Sequence, residues 1–268
     1  MKIGFVGVGA MAKAIIQGLL KAQIGPASDI LVHSAHQANY EPYAQKYGLT
    51  PIASNQELVS QSDLVVLAVV PQQLEAVMKE IADSLTTKKA LISIVSGVSL
   101  QRLEELSSYD QPILRTLPNI NAEYGQGMTA VVANSNLNGS LLSQAKTVFT
   151  ATGTIIDLPE EQFPVFSAIS GSAVAYIDYF IDVLSRAGVK YGLNKQIATQ
   201  IAAQTTLGSA NSLIESKDTP ANLIDQVCSP GGDTIAGLLA MEQNGLLNAV
   251  IKGIDATIEK STGNNKTI

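Results

Sequence analysis

Hydrophobic and polar positions follow two different periods in the first part of the chain. Short runs rich in Val, Ile and Leu have the length and composition of buried β-strands. They lie at Lys2 to Val6, Ile30 to His33, Leu64 to Val69, Leu91 to Val95 and Ile113 to Leu117. The stretches between these runs are amphipathic with the period of a helix. This alternation predicts parallel strands joined by crossover helices, that is, an α/β domain.

Two of the predicted helices carry start signals. Ser54 stands three residues before Glu57, which is the spacing of a capping box. Ser99 directly precedes the amphipathic stretch that begins at Leu100, where a serine favours an N-cap. Both signals place a helix start just after a predicted strand or loop.

The pattern changes after Asp157, where the strand signals stop and about a hundred residues follow with helical periodicity. We therefore predict two domains, residues 1–157 with the sheet and residues 158–268 with helices only. Ala173 to Leu184 and Ile197 to Leu213 are apolar around much of their circumference, so we expect burial in a homodimer or larger homo-oligomer. A three-helix core without a partner is the alternative. The polar tail Ser261 to Ile268 is predicted to fray.

Composition and charge narrow the classes of function. The chain has 268 residues, 46% of them hydrophobic, and a formal net charge of −6. Nucleic acids and anionic membranes need a clustered positive face, so small molecules are the expected partners. One cysteine and two histidines make neither a disulfide nor a familiar zinc site, so we expect no metal and a reducing compartment. Without a signal-peptide pattern at its start, the chain is expected in the cytoplasm.

A glycine turn follows the first predicted strand. Gly7 permits the tight turn, Gly9 lets the backbone approach a pyrophosphate, and Ala12 is small enough for the next helix to pack closely. Ala10 and Met11 stand at the start of that helix, whose amino terminus favours an anion. The motif predicts a dinucleotide-binding unit; a glycine turn in another doubly wound fold is the alternative.

The end of the second predicted strand indicates which dinucleotide is bound. Enzymes that use NAD usually carry an Asp or Glu there, whereas this chain has Val32 to Gln37 without an acid. Ser34 and His36 would offer a 2′-phosphate hydrogen-bond donors, which favours NADP(H). The segment has no Arg or Lys, and its two histidines could equally be solvated loop residues.

Several segments resemble the pyrroline-5-carboxylate reductase family. The two most characteristic are Phe163 to Ser172 and Cys228 to Leu238, and further similarity lies at Ala68 to Gln72, Ser93 to Ser99, Arg115 to Asn119 and Arg186 to Leu193. The resemblance implies an N-terminal Rossmann domain that binds NAD(P) and a C-terminal helical dimerisation domain. It also implies hydride transfer from NADPH, with NADH possible, to the C=N bond of 1-pyrroline-5-carboxylate, giving L-proline.

Candidate site residues follow from this chemistry. Reduction of a protonated imine needs a hydride donor and a held substrate ring, not a nucleophile or a metal. Ser167 is the candidate for a hydrogen bond to the ring nitrogen, with helix packing as the alternative role. Residues that follow the predicted strands would contact the cofactor: Asn55, Val69, Val70, Pro71 and Gly97.

The segment around Pro230 predicts an anion site. Ser229, Gly231, Gly232 and Thr234 surround an expected helix start, so their backbone N–H groups and hydroxyls would hold the substrate carboxylate. Asp233 is expected to point outward, because its charge would repel a bound anion. A capped helix start without a ligand is the alternative.

The chain departs from the family at a few positions. The family usually has Asn where this chain has Ala10, Lys where it has Val70, and Gly-Pro where it has Ala173-Val174. At the position of Ser167 the family has Thr, which also carries a hydroxyl. Two alternative functions therefore stay open. One is an NADP-dependent reductase of another small cyclic imine acid, and the other is a non-catalytic NADP-binding regulatory paralogue.

Overall fold

The computed structural model describes residues 1–263 and contains one eight-stranded sheet. The strands are β1 (Ile3–Val6), β2 (Ile30–His33), β3 (Thr50–Pro51), β4 (Leu64–Leu67), β5 (Ala90–Ser93), β6 (Ile113–Leu117), β7 (Gly127–Ala133) and β8 (Gly153–Asp157). Residues 1–263 also contain twelve α-helices. They are α1 (Ala10–Ala22), α2 (Gln37–Tyr47), α3 (Asn55–Gln61), α4 (Leu74–Ile81), α5 (Leu100–Leu106), α6 (Gly139–Thr150), α7 (Phe163–Phe166), α8 (Ala173–Lys190), α9 (Lys195–Ser216), α10 (Pro220–Val227), α11 (Asp233–Gln243) and α12 (Leu246–Ser261).

The strand order places a switch of direction beside the first strand. The order is β3-β2-β1-β4-β5-β6-β7-β8, and every neighbouring pair is parallel except β6 and β7. β1 pairs with β2 on one side and with β4 on the other, so the chain winds outward in both directions from β1. In such sheets the carboxyl ends of the strands at the switch form a crevice.

Helices cover both faces of the sheet because alternate strand residues point to opposite sides. On one face Phe5 packs with Ile15 and Leu19 of α1 and with Phe149 of α6. On the other face Val6 packs with Leu58 of α3, Met78 of α4 and Leu103 of α5. The sheet is therefore a buried middle layer, which holds the strand ends rigidly.

A third cluster extends this unit beyond the last strand. Phe163 and Phe166 of α7 are buried against Ala130 of β7, with Leu117 and Met128 packed around them. By backbone contacts the first compact unit accordingly covers Met1–Gly171, and the second begins at Ser172. The domain boundary after residue 157 stays a prediction.

The second unit consists of helices. The two apolar stretches predicted there are confirmed as parts of α8 and α9, and few of their side chains are buried. Ser261 is the last residue of α12, and residues 264–268 of the tail predicted to fray lie outside the described residues.

The strand predictions need corrections. Lys2 lies outside β1, and β5 begins at Ala90 instead of Leu91. β4 ends at Leu67 instead of Val69 and β5 ends at Ser93 instead of Val95, because both strands end in register with Val6, the last residue of β1. β3, β7 and β8 were not predicted, and the β6–β7 pair is antiparallel. β3 has two residues, and both β7 and β8 begin with Gly, which weakens a strand pattern.

The predicted helix starts are confirmed at both serines. Ser54 Oγ accepts from Glu57 N at 3.2 Å, and Ser99 Oγ accepts from Arg102 N at 3.1 Å. The Glu57 carboxylate instead accepts from the Gln61 amide, four residues later. In the Ser54 capping box, the hydrogen bond that the serine hydroxyl accepts is therefore formed, and the glutamate side chain bonds to Gln61 instead.

One helical run has the length and composition of a membrane span. It covers Glu160–Lys190, and only 11% of its most apolar stretch of 18 residues is buried. A single run of this kind is weak evidence, because helices of soluble proteins meet the same criteria. Asp178 and Asp182 are charged interruptions of the apolar sequence of α8.

Candidate active site

The turn between β1 and α1 has the geometry that its glycines predicted. Gly7 has φ of +97°, and a Cβ there would lie 2.7 Å from the carbonyl oxygen of Ala68. A Cβ at Gly9 would meet nothing within 4 Å, so open space lies before the helix. No side chain caps the start of α1, whose first N–H groups are therefore available to an anion. The residues present fit a dinucleotide pyrophosphate.

A cleft of about 540 Å³ opens at this turn. It is bounded by the ends of β1, β2 and β4 and by α2 and α4, which is the crevice expected at the switch point. Its lining includes seven of the predicted cofactor residues, namely Gly7, Gly9, Ser34, His36, Asn55, Val69 and Val70. It also includes Val6, Val8, His33, Ala35, Asn39, Ala68, Gln73, Ala76, Val77 and Glu80.

The other predicted cofactor residues lie outside this lining. Ala10 and Met11 begin α1, and Ala12 is buried and lets α1 pack on the sheet, as its size predicted. Pro71 begins a 3-10 turn after β4. Gly97 has φ of +74° in the loop after β5, with open space around it. Cofactor contacts at these positions stay predictions.

The two histidines at the end of β2 differ. Nδ1 of His33 lies 2.8 Å from the carbonyl oxygen of Ile52, and its ring packs against Tyr40 at 5.2 Å between centroids. Since a carbonyl only accepts, Nδ1 carries the proton, and Nε2 is left for another partner. His33 is therefore a half-buried, oriented residue of the cleft and not a solvated one. His36 lines the cleft and is exposed.

The charges in the cleft are unusual for a phosphate site. Among the described lining residues there is no Lys or Arg, and Val70 is 55% exposed where the family usually has Lys. Asn55 donates from Nδ2 to a carboxylate oxygen of Glu80 at 2.9 Å. A 2′-phosphate in this cleft would depend on neutral donors such as Ser34 and Asn55.

Ser167 lies on a helical segment that is anchored to the sheet. Ser167–Ser172 form a π-helical segment between α7 and α8, and segments of this kind are frequent at functional sites. Buried Ser170 accepts from the amide of Asn119, and its own hydroxyl donates to the Met128 carbonyl at 3.4 Å. Asn119 also accepts from Met128 N at 3.2 Å. The half-buried Ser167 is thus carried on a fixed support.

The loop before α11 has the predicted turn. Gly231 has φ of +72°, so this position favours glycine, and a Cβ at Gly232 would lie 2.5 Å from Oγ of Ser229. Gly232 is the N-cap of α11 and no side-chain cap bond is formed there. Thr234 N donates to Oδ1 of Asp233 at 2.9 Å. This corrects the expectation that Asp233 points away, because its carboxylate occupies one N–H group of the helix start.

Comparisons with known proteins agree with this arrangement. A family model described as "Pyrroline-5-carboxylate reductase dimerisation" matches residues 160–263, and one described as "NADP oxidoreductase coenzyme F420-dependent" matches residues 2–97. Pyrroline-5-carboxylate reductase of Synechocystis sp. is 36% identical over 261 residues, which are 97% of this chain and 97% of the relative. The chain belongs to the pyrroline-5-carboxylate reductase family.

Solved structures of this family have the same fold. A pyrroline-5-carboxylate reductase from Streptococcus pyogenes has a TM-score of 0.86 at 39% identity, with 98% of both chains covered. The enzyme of Plasmodium falciparum, solved with NADP bound, has a TM-score of 0.87 at 31% identity, covering 98% of this chain and 97% of that one. These matches confirm the predicted fold class, a Rossmann-type domain followed by a helical dimerisation domain.

Sequence reasoning missed the part of the cleft that lies on helices. Asn39 of α2 and Ala76, Val77 and Glu80 of α4 line it. Loop residues after strands are found from strand order, whereas cleft-facing helix residues depend on how each helix crosses the sheet. Ala76 and Glu80 are four residues apart, a spacing that shows a shared helix face but not what that face borders.

Proposed function

We propose that this chain is an NADPH-dependent pyrroline-5-carboxylate reductase, which reduces the C=N bond of 1-pyrroline-5-carboxylate to L-proline as the last step of proline biosynthesis. The observation that carries the proposal is the glycine-lined cleft at the switch point of the sheet. The chain that forms this cleft is similar to reductases of this name over nearly its whole length. NADP bound in the Plasmodium falciparum relative supports the choice of cofactor.

The chain's residues have distinct roles toward the cofactor in this proposal. Gly7 permits the tight turn, Gly9 leaves room for the pyrophosphate at the start of α1, and Ser34, His36 and Asn55 donate to the ribose phosphate. When bound, NADPH supplies the hydride. Further contacts are proposed from Ala10, Met11, Ala12, Val69, Val70, Pro71 and Gly97.

The substrate roles follow from donors and charge. The hydroxyl oxygen of Ser167 accepts a hydrogen bond from the protonated ring nitrogen, which holds the imine in one orientation. Ser229, Gly231, Gly232 and Thr234 bind the substrate carboxylate through hydroxyls and through the N–H groups at the start of α11 that Asp233 does not occupy, where the helix dipole favours an anion. No acid or metal of the protein is needed, because a protonated imine is already electrophilic.

The deciding experiment measures the oxidation of the reduced nicotinamide cofactor by the change in its absorbance. The purified protein is expected to oxidise NADPH when pyrroline-5-carboxylate is added, and NADH at a lower kcat/KM. L-proline should form in equal amount. A folded protein that binds NADPH yet shows no turnover would favour a regulatory paralogue, and turnover with another cyclic imine acid alone would favour the other reductase.

The carboxylate loop has its own test in Thr234→Ala. Loss of one hydroxyl donor to a charged group is expected to raise the KM for the imine by about ten- to a hundredfold, since such a bond contributes about 1.5 to 3 kcal/mol. The affinity for NADPH should stay nearly unchanged. If NADPH binding collapses instead, the loop belongs to the cofactor.

Assembly and location complete the proposal. The match to a dimerisation model supports a homo-oligomer, and we propose at least a homodimer formed through the helical unit. A small-molecule substrate and a single cysteine are consistent with work in the cytoplasm.

A further inference from the structure

Glu160 joins three parts of the first unit that are far apart in sequence. Its Oε1 accepts from the backbone N of Leu100 at 2.8 Å, and the same oxygen contacts Nη1 of Arg115. The Arg115 guanidinium lies over the ring of Phe163, 4.5 Å from its centroid. One carboxylate thus connects the start of α5, the middle of β6 and the start of α7.

This ion pair is more enclosed than the others in residues 1–263. The Arg115 side chain is 11% exposed and the Glu160 side chain is 31% exposed. In each of the other described ion pairs, at least one partner is 32% exposed or more, and no partner is less than 25% exposed. Phe163, which covers the guanidinium, is 2% exposed. An enclosed pair of this kind fixes geometry more firmly than an exposed pair, because its partners have little freedom to move into water.

The elements that the pair joins carry residues of the proposed site. Leu100 lies three residues after Gly97, whose loop follows β5 at the carboxyl edge of the sheet. Phe163 lies four residues, about one helical turn, before Ser167. We propose that Arg115 and Glu160 are positioning residues, which hold the Gly97 loop and the Ser167 segment at a fixed separation for hydride transfer. This rests on the proposed function of those two segments.

Each element also has an anchor that does not involve the ion pair. Ser99 caps α5 independently through Arg102 N, and Ser170 anchors the far end of the Ser167 segment through Asn119. Loss of the ion pair should therefore shift the two segments relative to each other while leaving both formed. A displacement near 1 Å at a reacting centre costs up to about a hundredfold in rate.

The test compares Arg115→Met and Glu160→Gln with the parent enzyme. Both variants are expected to lower kcat, by about 30- to 100-fold for Arg115→Met, and to change either KM by less than about threefold. Arg115→Lys keeps the charge and should recover part of kcat. Lys146→Met removes the exposed Lys146–Asp157 pair of the same unit and should leave kcat unchanged.

Two measurements do not depend on turnover. NADPH affinity by calorimetry should change by less than about threefold, and hydrogen exchange at residues 97–100 should rise at least about tenfold in both variants but not in Lys146→Met. Unchanged exchange, or kcat within twofold of the parent in a folded variant, overturns the proposal. If Arg115→Met does not fold, Glu160→Gln decides it. Loss of parent turnover alone would instead refute the proposed function.

Discussion

At the scale of single residues, two glycines in one turn have different reasons to be glycine. Gly7 is required by its backbone, since its φ is positive and a Cβ would press on the Ala68 carbonyl. Gly9 has an ordinary φ of −79° and open space around it, so nothing within the protein requires glycine there. We therefore propose that glycine at this position lets a ligand approach its backbone closely.

This difference predicts opposite results for two matched substitutions. Gly7→Ala should lower the free energy of unfolding by about 2 kcal/mol or more, because alanine is strained at positive φ. Gly9→Ala should leave thermal stability nearly unchanged but weaken NADPH binding at least about tenfold. Melting curves and calorimetric titration of both variants check this. Equal NADPH affinity in Gly9→Ala and the parent would remove Gly9 from the cofactor site.

The glycine turn could be predicted from the sequence because it belongs to a short motif, and Ser34 and His36 could be predicted because they directly follow the second predicted strand. The bond between Asn55 and Glu80 joins residues 25 apart and depends on where α4 crosses the sheet. The same is true of Asn119 and Ser170, which meet across 51 residues. Long-range contacts of this kind have no local sequence pattern.

At the scale of elements, α8 and α9 are tied together by one carboxylate. Asp182 accepts from Lys195 Nζ and from Arg186 Nε, each at 2.6 Å. The hydrogen bond from Lys195 is the main cause that lowers the pKa of Asp182 below its ordinary value, and the bond from Arg186 adds to it. Because these two ion pairs of Asp182 are solvent-accessible, their effect on the free energy of unfolding is screened by solvent.

The lowered pKa predicts the direction of a pH effect. The charged form of Asp182 stabilises the folded state above the unfolded pKa of about 3.9, and this contribution is lost as pH falls through the lower folded value. Asp182→Asn should therefore melt at a lower temperature than the parent at pH 7, and the difference should narrow from pH 5 to pH 3. Asp178→Asn, one turn earlier on α8, is the matched control. A difference that stays constant with pH would exclude this ion pair as its source.

The elements that could be predicted were those with a strong period. β1, β2, β4, β5, β6 and the long helices α8 and α9 have continuous apolar patterns, and both serine caps have fixed spacing. β3 and β8 lie at the two edges of the sheet, where a strand is half exposed and its pattern is weak. β7 was missed because it begins with glycine, although four of its seven residues are buried.

At the scale of the whole molecule, the second unit leaves apolar helix faces uncovered within a single chain. Leu247, Val250 and Ile251 of α12 are 67%, 57% and 49% exposed and share one helix face by their spacing. Contiguous apolar surface of this kind is typical of a subunit interface. It fits the family match to a dimerisation model.

A charge on this face should disturb assembly. Val250→Glu is expected to lower the mass measured by light scattering at micromolar concentration, because a buried unpaired carboxylate in an interface is costly. Asn248→Glu adds the same charge to an exposed polar position of α12 and should leave the mass unchanged. An equal mass for both variants would place the interface elsewhere on the helical unit.

The uncovered helix faces also determine how the chain regains its native state after denaturation. Pairing of β1 with β4 is an event within one chain, so its rate is independent of protein concentration. We expect the helical unit to bury these apolar faces against a second molecule, so that its last step is bimolecular and accelerates as concentration rises. The chain has no tryptophan, so circular dichroism and recovered activity are the suitable signals. Dilute refolding should therefore yield secondary structure well before it yields turnover.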